Sequence, residues 1–394
     1  MKAAHHIYLD NHATTQVDPR VVEAMLPYFT EFYGNPASRQ HEFGWRAEAG
    51  VRKARRQVAT LIHAEENEIV FTSGATESIN LALKGVAEGY RARGRHIVTV
   101  VTEHQAVLGT CETLERSGFK VTRLAVDRRG RVSLDDLERA ITNETILVSV
   151  MAANNEIGTI APIGAIGKLC RERGILFHTD AAQAAGKIPI DVRSMDVDLL
   201  SFTSHKIYGP KGIGALFIRR NGSRIPLVPQ IEGGGHEEGL RSGTLNVPGI
   251  VGFGEAAGVA STEMHEETGR IAQLRDMLVD GLISRVENAK QNGDDSNRLA
   301  GNASITFGGT RADKLIVEMK EVAVSTGSAC SSAIPKPSHV LRAIGLSAED
   351  SLCSIRFGIG RFNTNEEIKY TINKVAEIVG QIRKTSQTHH LALS

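Results

Sequence analysis

Ser201–Gly214 reads SFTSHKIYGPKGIG, and the reading of the whole chain turns on it. A short apolar run, Val197–Phe202 broken by Asp198, predicts a buried strand. It opens into Thr203, Ser204, His205 and Lys206, then a loop punctuated by Gly and Pro, before a second apolar run at Ile213–Ile218. A lysine where a buried strand opens into a loop is desolvated and held in one direction. That suits a Schiff-base lysine, because only the neutral amine attacks a carbonyl. By itself the stretch reads sooner as a surface lysine beside a turn; the surrounding chain changes that.

Upstream lies a β–turn–α signature. Glu68–Phe71 is an expected strand, Ser73, Gly74, Ala75 and Thr76 form the turn, and a helix continues through Ser78, Ile79, Leu81, Ala82 and Leu83. The first amides of a helix lack internal partners and its N-terminal end favours anions. The turn therefore reads as a single-phosphate cup, or equally as ordinary capping by Ser73. Neither the GxxxxGK[ST] loop nor the dinucleotide fingerprint is present. His96–Val101 is a strand followed by Thr102, Glu103 and His104. Ile146–Met151 ends at Ala152, Ala153, Asn154, Asn155 and Glu156. Ile175–His178 ends at Thr179 and Asp180, with Gln183 close behind. With helices at Asp135–Ile141 and Ile163–Arg173, this alternation predicts an α/β fold with a mostly parallel, doubly wound sheet. In such sheets the strand exits line the ligand crevice.

Around that unit, Asp18–Pro19 opens one helix and a second runs from about Trp45 to Ile62. Arg52, Arg55 and Arg56 lie off its apolar stripe and read as a solvated face, with phosphate binding the weaker alternative. Ile231–Thr244 is a glycine-dense loop. A long helix containing Ala256, Ala257 and Val259 follows, and helical Glu266–Val286 links two domains. Ala303–Phe307, Lys314–Lys320, Cys353–Phe357 and Glu366–Ile382 read as strand, helix, strand and helix of a smaller α+β domain. The tail ending HHLALS reads as frayed, and His389–His390 as uninstructive rather than metal-binding.

The 394 residues carry 46 basic and 45 acidic side chains, which argues against nucleic acid or an anionic membrane as the main partner. A 41% hydrophobic content supports a sizeable core and two domains. Cys111, Cys170, Cys330 and Cys353 form no CxxC pair and no disulfide framework, so a reducing compartment is expected. Neither a signal peptide nor a run of about 18 apolar residues is apparent. A soluble cytoplasmic protein is the expectation.

The candidate site combines Ser73–Thr76, His104, Asn155, Asp180, Gln183, His205 and Lys206. An aromatic aldehyde cofactor with a phosphate arm uses each type. Lys206 bonds the aldehyde, and Asp180 keeps a pyridine nitrogen protonated, which makes the ring a better electron sink. His104 covers a ring face and shuttles a proton. Asn155 or Gln183 bonds the ring oxygen, and Thr76, Thr203 and His205 hold phosphate. Cys330 lies in STGSACSSA at 325–333, a run of small residues expected to move. Arg356 offers a bidentate grip for an α-carboxylate, or forms a structural ion pair.

These stretches resemble the cysteine desulfurase family, in its housekeeping class with a long catalytic-cysteine loop. The matches are YLDNHATT at 8–15, FTSGATESIN at 71–80, TEHQAVL at 102–108, ANNEIGT at 153–159, HTDAAQAAGK at 178–187, SFTSHKIYGPKGIG at 201–214, RSGT at 241–244, STGSAC at 325–330 and IRFGIGRFNT at 355–364. The resemblance implies a pyridoxal-phosphate enzyme of fold type I. Residues 1–15 would pack with the small domain, residues 16–260 would form the large cofactor-binding domain, and residues 261–394 the small domain. It implies that Lys206 binds pyridoxal 5'-phosphate, that His104 stacks on its ring, and that Asp180, Asn155 and Gln183 contact it. Ala75, Thr76, Thr203 and His205 would hold phosphate, with Thr244 supplied by the other subunit of a homodimer. Asn155 and Arg356 would orient L-cysteine. Cys330 would take its sulfur as a persulfide, release L-alanine and pass the sulfur to a protein acceptor such as an iron–sulfur scaffold or sulfur carrier. Thiolated tRNA or DNA phosphorothioation are further destinations. Another pyridoxal-phosphate lyase or aminotransferase, such as a selenocysteine lyase, or a non-enzymatic scaffold retaining the fold, are the alternatives. At Glu238 many family members carry a basic residue.

Overall fold

The computed structural model describes residues 6–221, 223–326 and 336–391, with the side chains of 221, 223, 224 and 386–391 left aside. The apolar runs form a seven-stranded sheet. Its order is Ile69–Thr72, Gly214–Ile218, Leu199–Thr203, Leu176–Asp180, Thr145–Ser149, His96–Val100 and Lys120–Leu124. Gly214–Ile218 pairs antiparallel with both neighbours, and the remaining ladders are parallel. Strands 69–72, 96–100, 145–149, 199–203 and 214–218 are buried throughout, as expected of a sheet covered on both faces. One face packs on a core that includes Val51, Val58, Phe202 and Phe253, the other on Ile79, Leu83, Val107 and Leu114.

The two helical stretches read after residue 247 are one helix, Val247–Arg285. At 1.5 Å per residue it extends about 58 Å, and it serves two cores. Its first half packs through Ile250, Phe253 and Ala257 on the large sheet, and its second half through Leu274, Leu278 and Leu282 on a separate cluster. That cluster covers a three-stranded antiparallel sheet of Ala289–Gln291, Asn302–Phe307 and Ser354–Gly358, with helices Ala312–Met319 and Asn365–Leu391. Ile7–Tyr8 pairs parallel with Val322–Ala323, and Ile7 and Leu9 are buried in the same cluster. The C-terminal helix continues to Leu391, further than the frayed reading of the tail. No helix among the described residues is long and apolar enough to cross a membrane.

Two local readings are corrected. Ser73 does not cap the following helix: Gly74 is the N-cap, without a side-chain cap bond. The helix N-terminus is thus left open. Arg55 is not on a solvated face. Its guanidinium bonds both oxygens of Glu237 at 2.6 and 2.8 Å and stacks 4.6 Å over the Phe71 ring. Glu237 also accepts the Phe71 N–H, so this ion pair ties the glycine-dense loop to the edge of the sheet. Arg56 pairs with Glu66 on the surface, as a solvated arginine does.

Candidate active site

The strand exits converge on a cavity of about 490 Å³. His104, Asn155, Asp180, Gln183, Thr203, His205 and Lys206 line it, as do Ala75 and Thr76 at the start of the helix Ala75–Gly89. Gly214 lets the turn sit this close to the sheet, since a Cβ there would lie 2.7 Å from the Gly74 Cα. The open amides of the first helical turn face no partner within the helix, which makes an anion cup.

Lys206 ends a short 3₁₀ turn, Ser204–Lys206, directly after its strand. The N-terminal segment staples that turn in place. Thr15 N–H donates to the His205 carbonyl at 2.9 Å, the Tyr208 N–H donates to Thr15 Oγ1 at 2.9 Å, and Thr14 Oγ1 lies 3.1 Å from His205 Nδ1. Burial lowers the Lys206 pKa to about 8, against the opposing pull of Asp180. About a tenth of the amine is therefore neutral at pH 7, and about half at pH 8. The rate at which the apoprotein captures pyridoxal phosphate should rise about tenfold between pH 7 and 9 and then level off, as a pKa near 8 dictates. An ordinary lysine would keep climbing by about tenfold per unit through the same window.

Asp180 is 5% exposed. Its Oδ1 accepts the Ala182 N–H at 2.9 Å, and no cation pairs with it among the described residues. A buried carboxylate without a cation, aimed at a cavity, fits a protonated ring nitrogen. His104 caps the helix Gln105–Arg116, with Nδ1 accepting the Ala106 N–H at 3.1 Å. The neutral ring therefore carries its proton on Nε2. Burial lowers its pKa, Asp180 opposes, and Lys206 and His339 add to the lowering. Burial also holds His205 down to about 4, so it is an uncharged ligand at neutral pH. Thr203 spends its hydroxyl proton on the Ile213 carbonyl at 3.2 Å, so it lines the cup as an acceptor rather than a free donor.

Other predicted residues fall elsewhere. Arg356 does not line the cavity. Its Nη2 bonds Asp10 at 2.8 Å and its Nη1 bonds the Asn155 carbonyl at 2.8 Å, which is the structural ion pair. Thr244 is exposed and borders no part of this cavity. Cys330 lies outside the described residues. Among the described residues no cluster of ligands could hold a metal ion.

Glu77 was missed by sequence reasoning. It lines the cavity at the mouth of the anion cup, with Oε2 accepting the Ser73 N–H at 2.8 Å and Oε1 accepting Arg241 Nε at 2.8 Å. Burial pushes its pKa up, but Arg241 and Ser73 together hold it below the usual carboxylate range. Arg241 thus neutralises an anion beside the place where a phosphate must bind. Arg241→Ala should weaken apoprotein affinity for pyridoxal phosphate about tenfold, the size of one charge-assisted hydrogen bond. Fluorescence titration of the apoprotein measures it. Its RSGT context carried the signal, but nothing in it pointed to Glu77.

The fold and cavity define a fold type I pyridoxal-phosphate enzyme. The aminotransferase class-V family model matches residues 7–371. The cysteine desulfurase IscS of Anaeromyxobacter dehalogenans (strain 2CP-C) is 52% identical over 385 residues, covering 98% of this chain and 95% of that protein. A solved "NifS-like protein" superposes with a TM-score of 0.89 at 41% identity, covering 95% of this chain and 99% of that one. A second structure, "SspA in complex with cysteine", has a TM-score of 0.80 at 38% identity, covering 91% of this chain and 100% of that one. The chain belongs to the cysteine desulfurases of aminotransferase class V. Its cofactor is pyridoxal phosphate, which supplies an aldehyde for the lysine and an electron sink for the substrate.

Proposed function

We propose that the chain withdraws sulfur from L-cysteine by a division of labour among the residues of the cavity, and that Cys330 carries the sulfur to a protein acceptor. The observation that carries this reading is one cavity lined by a lysine with a lowered pKa and by a buried carboxylate that no cation among the described residues pairs. Lys206 would hold the cofactor aldehyde, and once freed by the substrate amine it would move the α-proton. Asp180 would keep the ring nitrogen protonated. His104 would face the ring and offer its Nε2 proton. The amides of Ala75 and Thr76, with His205, would hold the phosphate.

Asn155 and Arg356 orient the substrate carboxylate. Arg356 does so by exchanging its bond to Asp10 for one to the incoming carboxylate. Cys330, as thiolate, attacks the substrate sulfur. The carbon–sulfur bond breaks, its electron pair returns to carbon, and a proton completes L-alanine. Sulfur leaves as a Cys330 persulfide, and an iron–sulfur scaffold or a sulfur carrier then takes it.

A second copy of the chain supplies Thr244 to the phosphate cup. The exposed aromatic group of Phe29, Tyr33, Phe43 and Trp45 supports such pairing. Purified protein given cysteine and a reductant should release alanine and sulfide in equal amounts. A keto-acid-dependent transfer of the amino group, with no sulfide, would favour an aminotransferase instead.

A further inference from the structure

A second buried lysine, Lys187, stands behind the cavity wall and bonds a residue that lines it. The Lys187 stem keeps partial exposure, but its amine points inward and donates from Nζ to Gln183 Oε1 at 3.0 Å. Gln183 is 2% exposed, lines the cofactor cavity, and donates from Nε2 to the His12 carbonyl at 2.8 Å. The amide is therefore held at both ends. Its oxygen is taken by a donor, and one of its two N–H bonds by an acceptor. The second N–H has no protein acceptor among the described residues.

Lys187 has no carboxylate bonded to it among the described residues. Burial lowers its pKa to about 7, with Lys206 and Arg356 adding to the lowering and Glu267 opposing. His12, beside it, is kept neutral by burial and by the Lys187 charge. Both ring nitrogens of His12 are buried without a partner among the described residues, and His12 and Lys187 both border an internal space of about 30 Å³. A buried amine without a carboxylate partner costs stability, which its one hydrogen bond to Gln183 only partly offsets. Charged or neutral, the amine carries an N–H and can donate to Oε1.

We propose that Lys187 is a positioning residue: its bond to Gln183 Oε1 fixes the amide so that Gln183 presents an N–H, and not its oxygen, to the ring oxygen of the cofactor. Rotated by half a turn, the amide would set its oxygen against the His12 carbonyl and against that ring oxygen. Both are acceptors, so the rotated form repels at two points. With Lys187 absent, Oε1 is left buried without a donor, and the side chain loses one of the two anchors that hold its direction. The inference rests on the reading of the cavity as the pyridoxal-phosphate site.

The test is a pH titration of the visible absorption band of the loaded protein. A donor to the ring oxygen stabilises its anionic form and lowers the midpoint. Lys187→Met and Gln183→Leu should each raise the midpoint, by about one unit. In the Gln183→Leu background, Lys187→Met should add nothing further, because Lys187 acts through the amide. Titration of the apoproteins with pyridoxal phosphate should show the same pattern, with affinity lost in either single variant and no extra loss in the double. If Lys187→Met fails to fold, Lys187→Gln, which keeps a donor of shorter reach, should give a smaller rise in the same direction. Unchanged midpoints in the single variants, or shifts that add in the double variant, overturn the proposal. Additive shifts would mean that Lys187 acts by its charge through space. A wild-type protein that binds no pyridoxal phosphate would sink the cofactor reading itself, a different outcome.

Discussion

Lys206→Ala should lower alanine formation from cysteine by at least about a thousandfold, the scale of losing a covalent catalytic group. The cavity survives the change, because the turn is stapled through the His205 carbonyl, the Thr15 hydroxyl and the Tyr208 N–H, none of which belongs to the Lys206 side chain. The variant should therefore still bind pyridoxal phosphate non-covalently, through the helix amides and Asp180. Its stability has its own signature. Folding lowers the Lys206 pKa from 10.5 to about 8, so the unfolded apoprotein binds more protons between those values. Apoprotein stability therefore rises with pH across that window and is diminished below it. Lys206→Ala removes this contribution, so the variant apoprotein should be no less stable than the wild type at pH 7. Denaturant unfolding at pH 7 and pH 10 checks the sign, and a large loss of stability at pH 7 would mean that inactivity came from misfolding.

Cys330→Ala should lower sulfide release by more than about a hundredfold while leaving the cofactor in place. The remaining thiols cannot substitute. Cys111, Cys170 and Cys353 are buried, and burial pushes the first two to about 12 and the third upward as well. A thiol with such a pKa supplies almost no thiolate at neutral pH. The variant should still show the cysteine-dependent change in the visible spectrum, since Lys206, Asp180 and His104 are untouched. Intact-protein mass after brief cysteine exposure should show one added sulfur in the wild type and none in the variant. Full sulfur transfer by Cys330→Ala would remove Cys330 from the reaction.

Much of this was legible in the residues. Helix Ile163–Arg173 has the bounds expected of it, and the six sheet strands read from the sequence shifted by a residue or two at most, whereas the edge strand Lys120–Leu124, half-exposed and without an apolar run, was missed. Short apolar runs between polar exits leave little freedom, and those exits carried Asp180, Asn155 and His104 into one cavity. What failed was pairing across long separations. Arg55 looked solvated because Glu237, its partner, lies 182 residues away. For Arg356 the sequence left an ion pair open but could not name its partner, because Asp10 is 346 residues away. The long helix looked like two because its middle, STEMHEETG, is polar between two apolar faces that serve different cores. Lys187 went unnoticed in AAQAAGK because alanine and glycine give no periodicity. The spacing of four between Gln183 and Lys187 was the available clue.

The most direct measurement is to reduce the loaded protein with borohydride, digest it and map the pyridoxyl label by mass spectrometry. Lys206 should carry it, singly and in nearly every molecule. Label on Lys187, whose amine is also buried with a lowered pKa, or on Lys211 at the cavity mouth, would contradict the assignment on which the account rests.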